Sequence, residues 1–453
     1  MYNNEYFTNR VKIHKKIDTI NKNVLYLAYR DLRVYDNWSF LYSQNIAYLN
    51  NSSMYVLYLI NKNNNINIRQ YKFLYEGLPE FESQCKKCNV SFHLLSYNNN
   101  IISNFINKYK IGHVIIEQMP LLFHKKYYLD PLKKLNVNVY IVDSHNIIPV
   151  WVTSDKQEYN ARTIRIKINK LKDQYLIEFP KVKISNIQPI FVENNFDIIP
   201  NYDKKLINIY EIVGGYTNGI NRMNNFFKNK INTYKDKKNN PNYENTSILS
   251  PWLHCGMISA QRCVLEANKL KKIKDYNIES IDSFIEEIFI RKELSDNFCY
   301  YNNNYKSFAS CPNWAILTLE IHKTDKRNKI FSLRELEYGK TDNKLWNYCQ
   351  YYLLKFGYLN GYMRMFWAKK LIEWTNSPQD AIDKTIYLND KYFFDGYDPM
   401  GYVNILWSIG GLHDRAFKER EMYGKIRFMS QPLMYKKLNV NDFYNNFDNV
   451  IKS

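Results

Sequence analysis

The sequence predicts two structural parts: an α/β N-terminal domain built on a doubly wound parallel sheet, then a larger all-α C-terminal domain. Three observations predict this. Short continuous apolar runs recur through the first third, separated by helix-compatible sequence. After about residue 210 the apolar spacing takes the helical period, with no further strand. Between the two lies a looser stretch dotted with Pro149, Pro180, Pro189 and Pro200. A chain of 453 residues exceeds one ordinary core, and 45% hydrophobic content is enough for two real ones.

Taken in order, residues 1–21 ("MYNNEYFTNRVKIHKK…") read as a short mobile tail, without the charged-then-apolar pattern of a secretory leader. "VLYLAY" (24–29) reads as a buried strand and "NWSFLYSQNIAYL" as a helix. "MYVLYLI" (54–60) is the next strand, followed by a helical stretch ending near "ESQCKKC". "VSFHLLSY" (90–97), "HVIIEQ" (113–118) and "VNVYIVDSH" (137–145) complete the set. Strands that are apolar on both faces belong in a parallel sheet covered by helices, so the α/β domain spans 22–145. Ligands of such sheets lie at the carboxyl ends of the strands. The first strand is followed by "AYRDLRVYDNW" and not by G-x-G-x-x-G, which speaks against a standard dinucleotide site.

Residues 146–205 read as a linker and 206–453 as the helical domain. In "SFIEEIFIRKELSDNF", Phe284, Ile285, Ile288 and Phe289 form one stripe, and Ser283-x-x-Glu286 has the form of a capping box. "ISAQRCVLEANKL" is similar.

The formal net charge of +19 fits a polyanionic partner such as nucleic acid. It fits equally well the Asn, Lys, Ile and Tyr excess that an A/T-rich coding sequence supplies, as in "NKNNNINIRQYK". No apolar run of about 18 residues appears, so no membrane span is expected. Seven scattered cysteines suit a reducing, intracellular compartment. Cys85-Lys-Lys-Cys88 is a lone C-x-x-C without a second pair, and His145, His254 and His413 read as packing groups, so no metal is expected.

The stretch 345–374, "LWNYCQYYLLKFGYLNGYMRMFWAKKLIEW", holds three of the chain's eight tryptophans: Trp346, Trp367 and Trp374. It reads as two helices divided at Gly357 and Asn360-Gly361. A seven-residue step drifts only ~20° on a helix, which would align Trp367 and Trp374 on one face ~10 Å apart. Downstream, Asn389, Asp395 and Asp398 fall in loop-like sequence, with Trp407, Asp414 and Arg427 beyond. Acidic groups among apolar helices need partners. An Arg364–Asp414 ion pair beside a cofactor pocket is the expectation.

"LAYRDLRVYDNW", "VDSHNIIPVWVTSDKQEYNARTIR", "LSPWLHCGMISAQR", "FIEEIFIRKELSDNFCYY" and nearly all of 345–430 together resemble the class II cyclobutane pyrimidine dimer photolyases of the photolyase/cryptochrome family. The resemblance covers most of the chain. It implies a carbon–carbon lyase that binds FAD, U-shaped, in the helical domain and repairs UV-damaged double-stranded DNA. In that chemistry the excited, reduced flavin passes an electron to a flipped-out pyrimidine dimer, and the electron returns after the ring splits. The helical domain offers no obvious nucleophile–base pair, and electron transfer needs none.

By motif, the resemblance makes Trp367, Trp346 and Trp374, in that order outward from the flavin, a path for photoreduction. Asn389 faces the flavin ring, and Arg364 with Asp414 pair beside it. Asp395, Gly396 and Asp398 follow the flavin's sugar chain, while Tyr234, Ser247, Leu249 and Ser250 lie on the phosphate side. Glu287 hydrogen-bonds the lesion, Trp407 and Met365 wall its cavity, and Arg262 and Arg427 face DNA. Arg291 and Phe417 stand where some members carry tryptophan, so the lesion walls and the residue filling the vacated space differ here. The N-terminal domain holds an antenna chromophore in some relatives. The resemblance implies a monomer without an obligatory protein partner. Two other readings are a cryptochrome-like photoreceptor without repair and a basic, non-catalytic DNA-binding protein whose aromatics only form a core.

Overall fold

In the computed structural model, which describes residues 2–60, 68–196 and 212–452, a six-stranded sheet is joined to a helical body. The strands are β1 (Val11–Lys15), β2 (Asn23–Ala28), β3 (Met54–Ile60), β4 (Ser91–Ser96), β5 (Ile111–Glu117) and β6 (Asn138–Val142), in the spatial order β1-β6-β5-β2-β3-β4. Strands β2 to β6 run parallel and β1 antiparallel to β6. Every residue of β3 is buried, as a strand covered on both faces requires. Helices α1 (Trp38–Leu49), α2 (Ile68–Lys87) and α3 (Ile101–Lys108) supply the crossovers.

Three sequence expectations are corrected. The N-terminal stretch is not a free tail, because it contributes edge strand β1 and a 3-10 turn, Asn4–Phe7, whose Phe7 is buried. The middle stretch is not a plain linker, because α4 (Ala161–Tyr175) occupies it behind an Asn160–Thr163 capping box. Ser283 does not cap a helix: Asn277 caps α7 (Ile278–Ile285), and a π-helical turn, Glu286–Arg291, continues it into α8 (Lys292–Tyr301). The boundary placed between 205 and 206 lies outside the described residues.

The sheet and the helical body are tied through buried polar groups. Arg30 grips Asp296 of α8 with both nitrogens at 2.9 and 3.0 Å. Glu293 of α8 accepts the backbone N–H groups of Ile147 and Ile148. Near the other end, α2 meets the helical body closely. A Cβ on Gly77 would lie 2.9 Å from the nitrogen of Gly215, the residue that precedes α5 (Tyr216–Asn229), so only glycine fits. At its N-terminal end, Arg69 donates to the carbonyls of Leu354 and Lys355, and Gln70 donates to that of Phe393.

Candidate functional site

Helices α9 (Lys344–Phe356) and α10 (Gly361–Lys370) carry the tryptophans. Asn343 caps α9 by accepting the Trp346 N–H, and Gly357 ends it at φ +65°, where a side chain is disfavoured. Asn360 caps α10, which tightens after ten residues into a 3-10 turn, Leu371–Trp374. That turn corrects the single-helix expectation, because it re-aims Trp374. Trp346 stands between the other two: its ring stacks on Trp367 at 6.3 Å and 6°, and meets Trp374 edge-on at 5.3 Å. Its Nε1 donates to the Trp367 carbonyl at 2.8 Å, while Trp367 Nε1 donates to Gln350 at 2.9 Å. The indoles are therefore buried and fixed, with Trp374 the most exposed of the three.

Trp367 also meets Phe393 edge-on, and the Arg364 guanidinium lies 3.8 Å from the Phe393 centroid. Arg364 pairs with Asp395 at 3.1 Å and donates to the Asn389 side-chain oxygen. The expected Arg364–Asp414 pair does not form; Asp414 instead takes Arg427 at 2.9 Å. Asn389 lies in helix α11 (Pro378–Tyr392), not in a loop, and is fully buried. Facing it is Gly401, where a Cβ would come within 3.1 Å of the Asn389 amide. Beside Asn389, burial pushes the Asp390 carboxyl up, against the hydrogen bonds it takes from the Tyr397 N–H, Asn389 and Tyr402.

Asp398 caps α12 (Pro399–Gly410) and bonds His254 at 2.9 Å. Burial opposes its charge, but His254 and Arg30 hold the carboxylate below its usual range. Asp398 and Gly396 line a cavity of about 270 Å³ between the sheet and the helical body, away from Arg364. Tyr29, Tyr58 and Tyr97, at the carboxyl ends of β2, β3 and β4, form much of its wall with Tyr71 and Tyr75 of α2 and Tyr128. His124 Nδ1 and the Tyr75 hydroxyl are buried at this cavity without a hydrogen-bond partner among the described residues.

The turn through Ser247, Leu249 and Ser250 is strained. Ile248, β-branched, is held at φ +54°, and Leu249 follows in the right-handed region. Successive left- and right-handed residues point their N–H groups into one concavity, which suits an anion. Arg222 donates to the Ser247 carbonyl, and the Thr246 hydroxyl bonds Tyr358 at 2.8 Å. Tyr234 is buried nearby against Phe226 and Phe284. Hydroxyls, a strained nest, a half-buried Arg364–Asp395 pair and a glycine-cleared Asn389 form a donor set that fits a dinucleotide with a polar ring system.

Another cavity, of about 510 Å³, is lined by Met365, Trp407, Phe417, Arg427, Phe428 and Lys418 among others. Arg427 lies 4.4 Å from the Phe417 ring and 5.6 Å from the Trp407 ring. Three expected residues are not brought to this wall. Glu287 pairs with Lys238 at 2.7 Å, and Arg291 pairs with Glu286 at 3.0 Å; both are exposed and do not line the cavity. Arg262 is corrected more sharply. It is held by Asp36, Glu178 and Glu266 at 2.7, 2.8 and 3.1 Å, at the junction of α1, the middle stretch and α6 (Ala260–Leu270), so it has no free face for a phosphate. Sequence reasoning missed Phe393, Gln350 and Lys369, which look like ordinary helical core residues in sequence.

Comparison with known proteins places the chain in a family. The family model described as DNA photolyase matches residues 24–184. The deoxyribodipyrimidine photo-lyase of Potorous tridactylus is 39% identical over 428 residues, covering 92% of this chain and 80% of that protein. The deoxyribodipyrimidine photo-lyase of Arabidopsis thaliana is 36% identical over 456 residues, covering 96% and 91%. The crystal structure of a bacterial class III photolyase from Agrobacterium tumefaciens superposes with a TM-score of 0.75 at 16% identity, covering 96% of this chain and 88% of that one, and so agrees in fold. With two relatives above a third identical along most of both chains, this chain belongs to the DNA photolyase family, the deoxyribodipyrimidine photo-lyases.

Proposed function

We infer that this chain is a light-driven lyase that splits cyclobutane pyrimidine dimers in UV-damaged duplex DNA. The observation that carries the reading is the placement on one ten-residue helix, α10, of residues facing three environments. Arg364 joins the Asn389–Asp395 cluster, Met365 lines the basic, aromatic cavity, and Trp367 begins the indole stack. An electron source, an electron path and a lesion cavity would thus share a single rigid element.

The chemistry that FAD supplies when bound is light-driven one-electron transfer to the dimer, with return of the electron after the ring opens. The chain's own residues do the rest. The nest at 247–250 holds the pyrophosphate. Arg364, fixed by Asp395, orients Asn389 toward the ring system. Trp407 and Met365 exclude water from a flipped-out dimer, and stacking on an aromatic wall recovers about 1–3 kcal/mol of the cost of flipping. Arg427 faces the phosphates. The indoles restore the reduced state from the surface, where Trp374 is the outer end. Glu287, about half exposed, would have to leave Lys238 and reach the cavity wall to hydrogen-bond the lesion. The tyrosine-walled cavity, with its two unpartnered polar atoms, suits a second planar chromophore that bears hydrogen-bonding groups.

The test is direct. Purified protein is incubated with a duplex carrying one thymine dimer, under reducing conditions, in near-ultraviolet or blue light and in darkness. Dimer loss only in light is expected. Bound reduced flavin without dimer loss would favour a photoreceptor, and absence of flavin would overturn the helical-site reading.

A further inference from the structure

Lys369 occupies the last turn of α10 and is 1% exposed. Its Nζ donates to the Ser408 carbonyl at 2.6 Å and lies 5.0 Å from the centroid of the Trp407 ring. Trp407 lines the basic, aromatic cavity, whereas Lys369 stands behind it and does not. A buried ammonium with one carbonyl partner is costly, and an apolar side chain of that length would fill the same space without the cost. The cost calls for a function.

We propose that Lys369 is a positioning residue for lesion capture, its buried ammonium pinning Trp407 and giving the cavity wall a cationic backing. The proposal rests on the reading of that cavity as the lesion site. A cation near an indole draws density from the π face. The ring then offers a less negative surface, suited to pyrimidines that have lost aromaticity and present carbonyl dipoles. Intact bases stay stacked in the duplex and do not reach this wall, so strengthening it favours damage over normal sequence.

The charged neighbours are few. From α12 come the Trp407 ring and the Ser408 carbonyl. From the segment beyond come Asp414 and its partner Arg427, and Tyr423, whose hydroxyl bonds the Lys369 carbonyl and Glu373. Burial pulls the ammonium down to about 7, with Asp414 opposing and Arg427 assisting. The backing therefore switches off as pH rises through neutrality.

The test is dark binding of the full-length, flavin-loaded protein to duplexes with and without one thymine dimer, between about pH 6 and about pH 8.5. Wild type should lose about 3- to 5-fold of its preference for damage across that range, the worth of one cation–ring contact. Lys369→Arg should hold the preference throughout, and Lys369→Met should have the lower preference at every pH. Identical pH profiles for wild type and Lys369→Met would overturn the proposal. If Lys369→Met does not fold by near-UV circular dichroism, the wild-type and Lys369→Arg profiles decide, and parallel profiles overturn it. A wild type without preference at any pH would instead sink the lesion-cavity reading.

Discussion

Arg262 donates to Asp36, Glu178 and Glu266, and Asp36 is itself buried. Arg427 pairs with one carboxylate, Asp414, and leaves much of its side chain exposed beside the cavity. Truncation should separate them. Arg262→Ala leaves Asp36 buried and uncompensated, so it should cost about 3 kcal/mol in a denaturant melt. Its DNA affinity, measured on the folded fraction, should keep the wild-type salt dependence. Arg427→Ala leaves Asp414, only 9% exposed, without its partner and should lower the melt as well, but it alone should reduce the slope of log affinity against log salt by about 1, one phosphate contact's worth. Equal slopes for the two variants would refute the assignment. In sequence the two arginines look alike, because charge is legible there and the carboxylates that neutralise Arg262 come from distant stretches. Arg364 posed the same problem: its aromatic helix marked it as a residue needing a partner and the expectation named Asp414, but packing brought Asp395 near instead.

At the scale of elements, the core strands were legible and the edges were not. β3 is apolar at every position, and any sheet buried on both faces writes that signature. β1 shows mostly exposed positions, because an edge strand needs backbone pairing more than apolar side chains. α4 did carry a signal: Ala161, Ile164 and Ile168 keep the helical spacing behind Asn160, but scattered prolines on either side obscured it. The tryptophan spacing was legible as a motif, while its geometry depended on the 3-10 turn after Lys370 and on the packing of α9 against α10. Those facts place Trp346 in ring contact with both partners. Trp346→Phe should therefore abolish light-driven reduction of oxidised flavin, read as bleaching of its visible absorbance with an external reductant present. Repair by chemically reduced protein should persist. The smaller ring also gives up the bond to the Trp367 carbonyl, with a stability cost of about 1–2 kcal/mol. Loss of both activities at an unchanged melting temperature would argue against a path through this indole.

For the whole molecule, the buried groups joining sheet and helices set an unusual pH response. Burial holds Glu117 up to about 7 and Glu293 up to about 8, and it pushes Asp143 up as well. It also holds His145, His124 and His413 down to about 3 and His93 to about 4. Stability rises with pH wherever the unfolded chain binds more protons. Between about pH 4.5 and 6.5 the histidines bind protons only when unfolded and outnumber the two glutamates, which bind them only when folded, so stability climbs. At pH 6.5 the unfolded histidines still hold about half their protons, and they lose them by about pH 7.5. Glu117 and Glu293 lose their folded-state protons over the same range and beyond, which opposes the histidines. Lys369, depressed to about 7 from 10.5, acts in the same sense as the histidines from about neutrality upward. The melting temperature should thus climb to about pH 6.5 and change little from there to about pH 8. Glu293 bonds two N–H groups through Oε1, while its Oε2 is buried without a partner among the described residues, which favours the neutral acid. Glu293→Gln keeps the acceptor and removes the titration. It should steepen the climb between about pH 4.5 and 6.5 and turn the level stretch between about 6.5 and 8 into a further rise. A wild-type profile in Glu293→Gln would mean that the junction between sheet and helices is not where this molecule stores its sensitivity to pH.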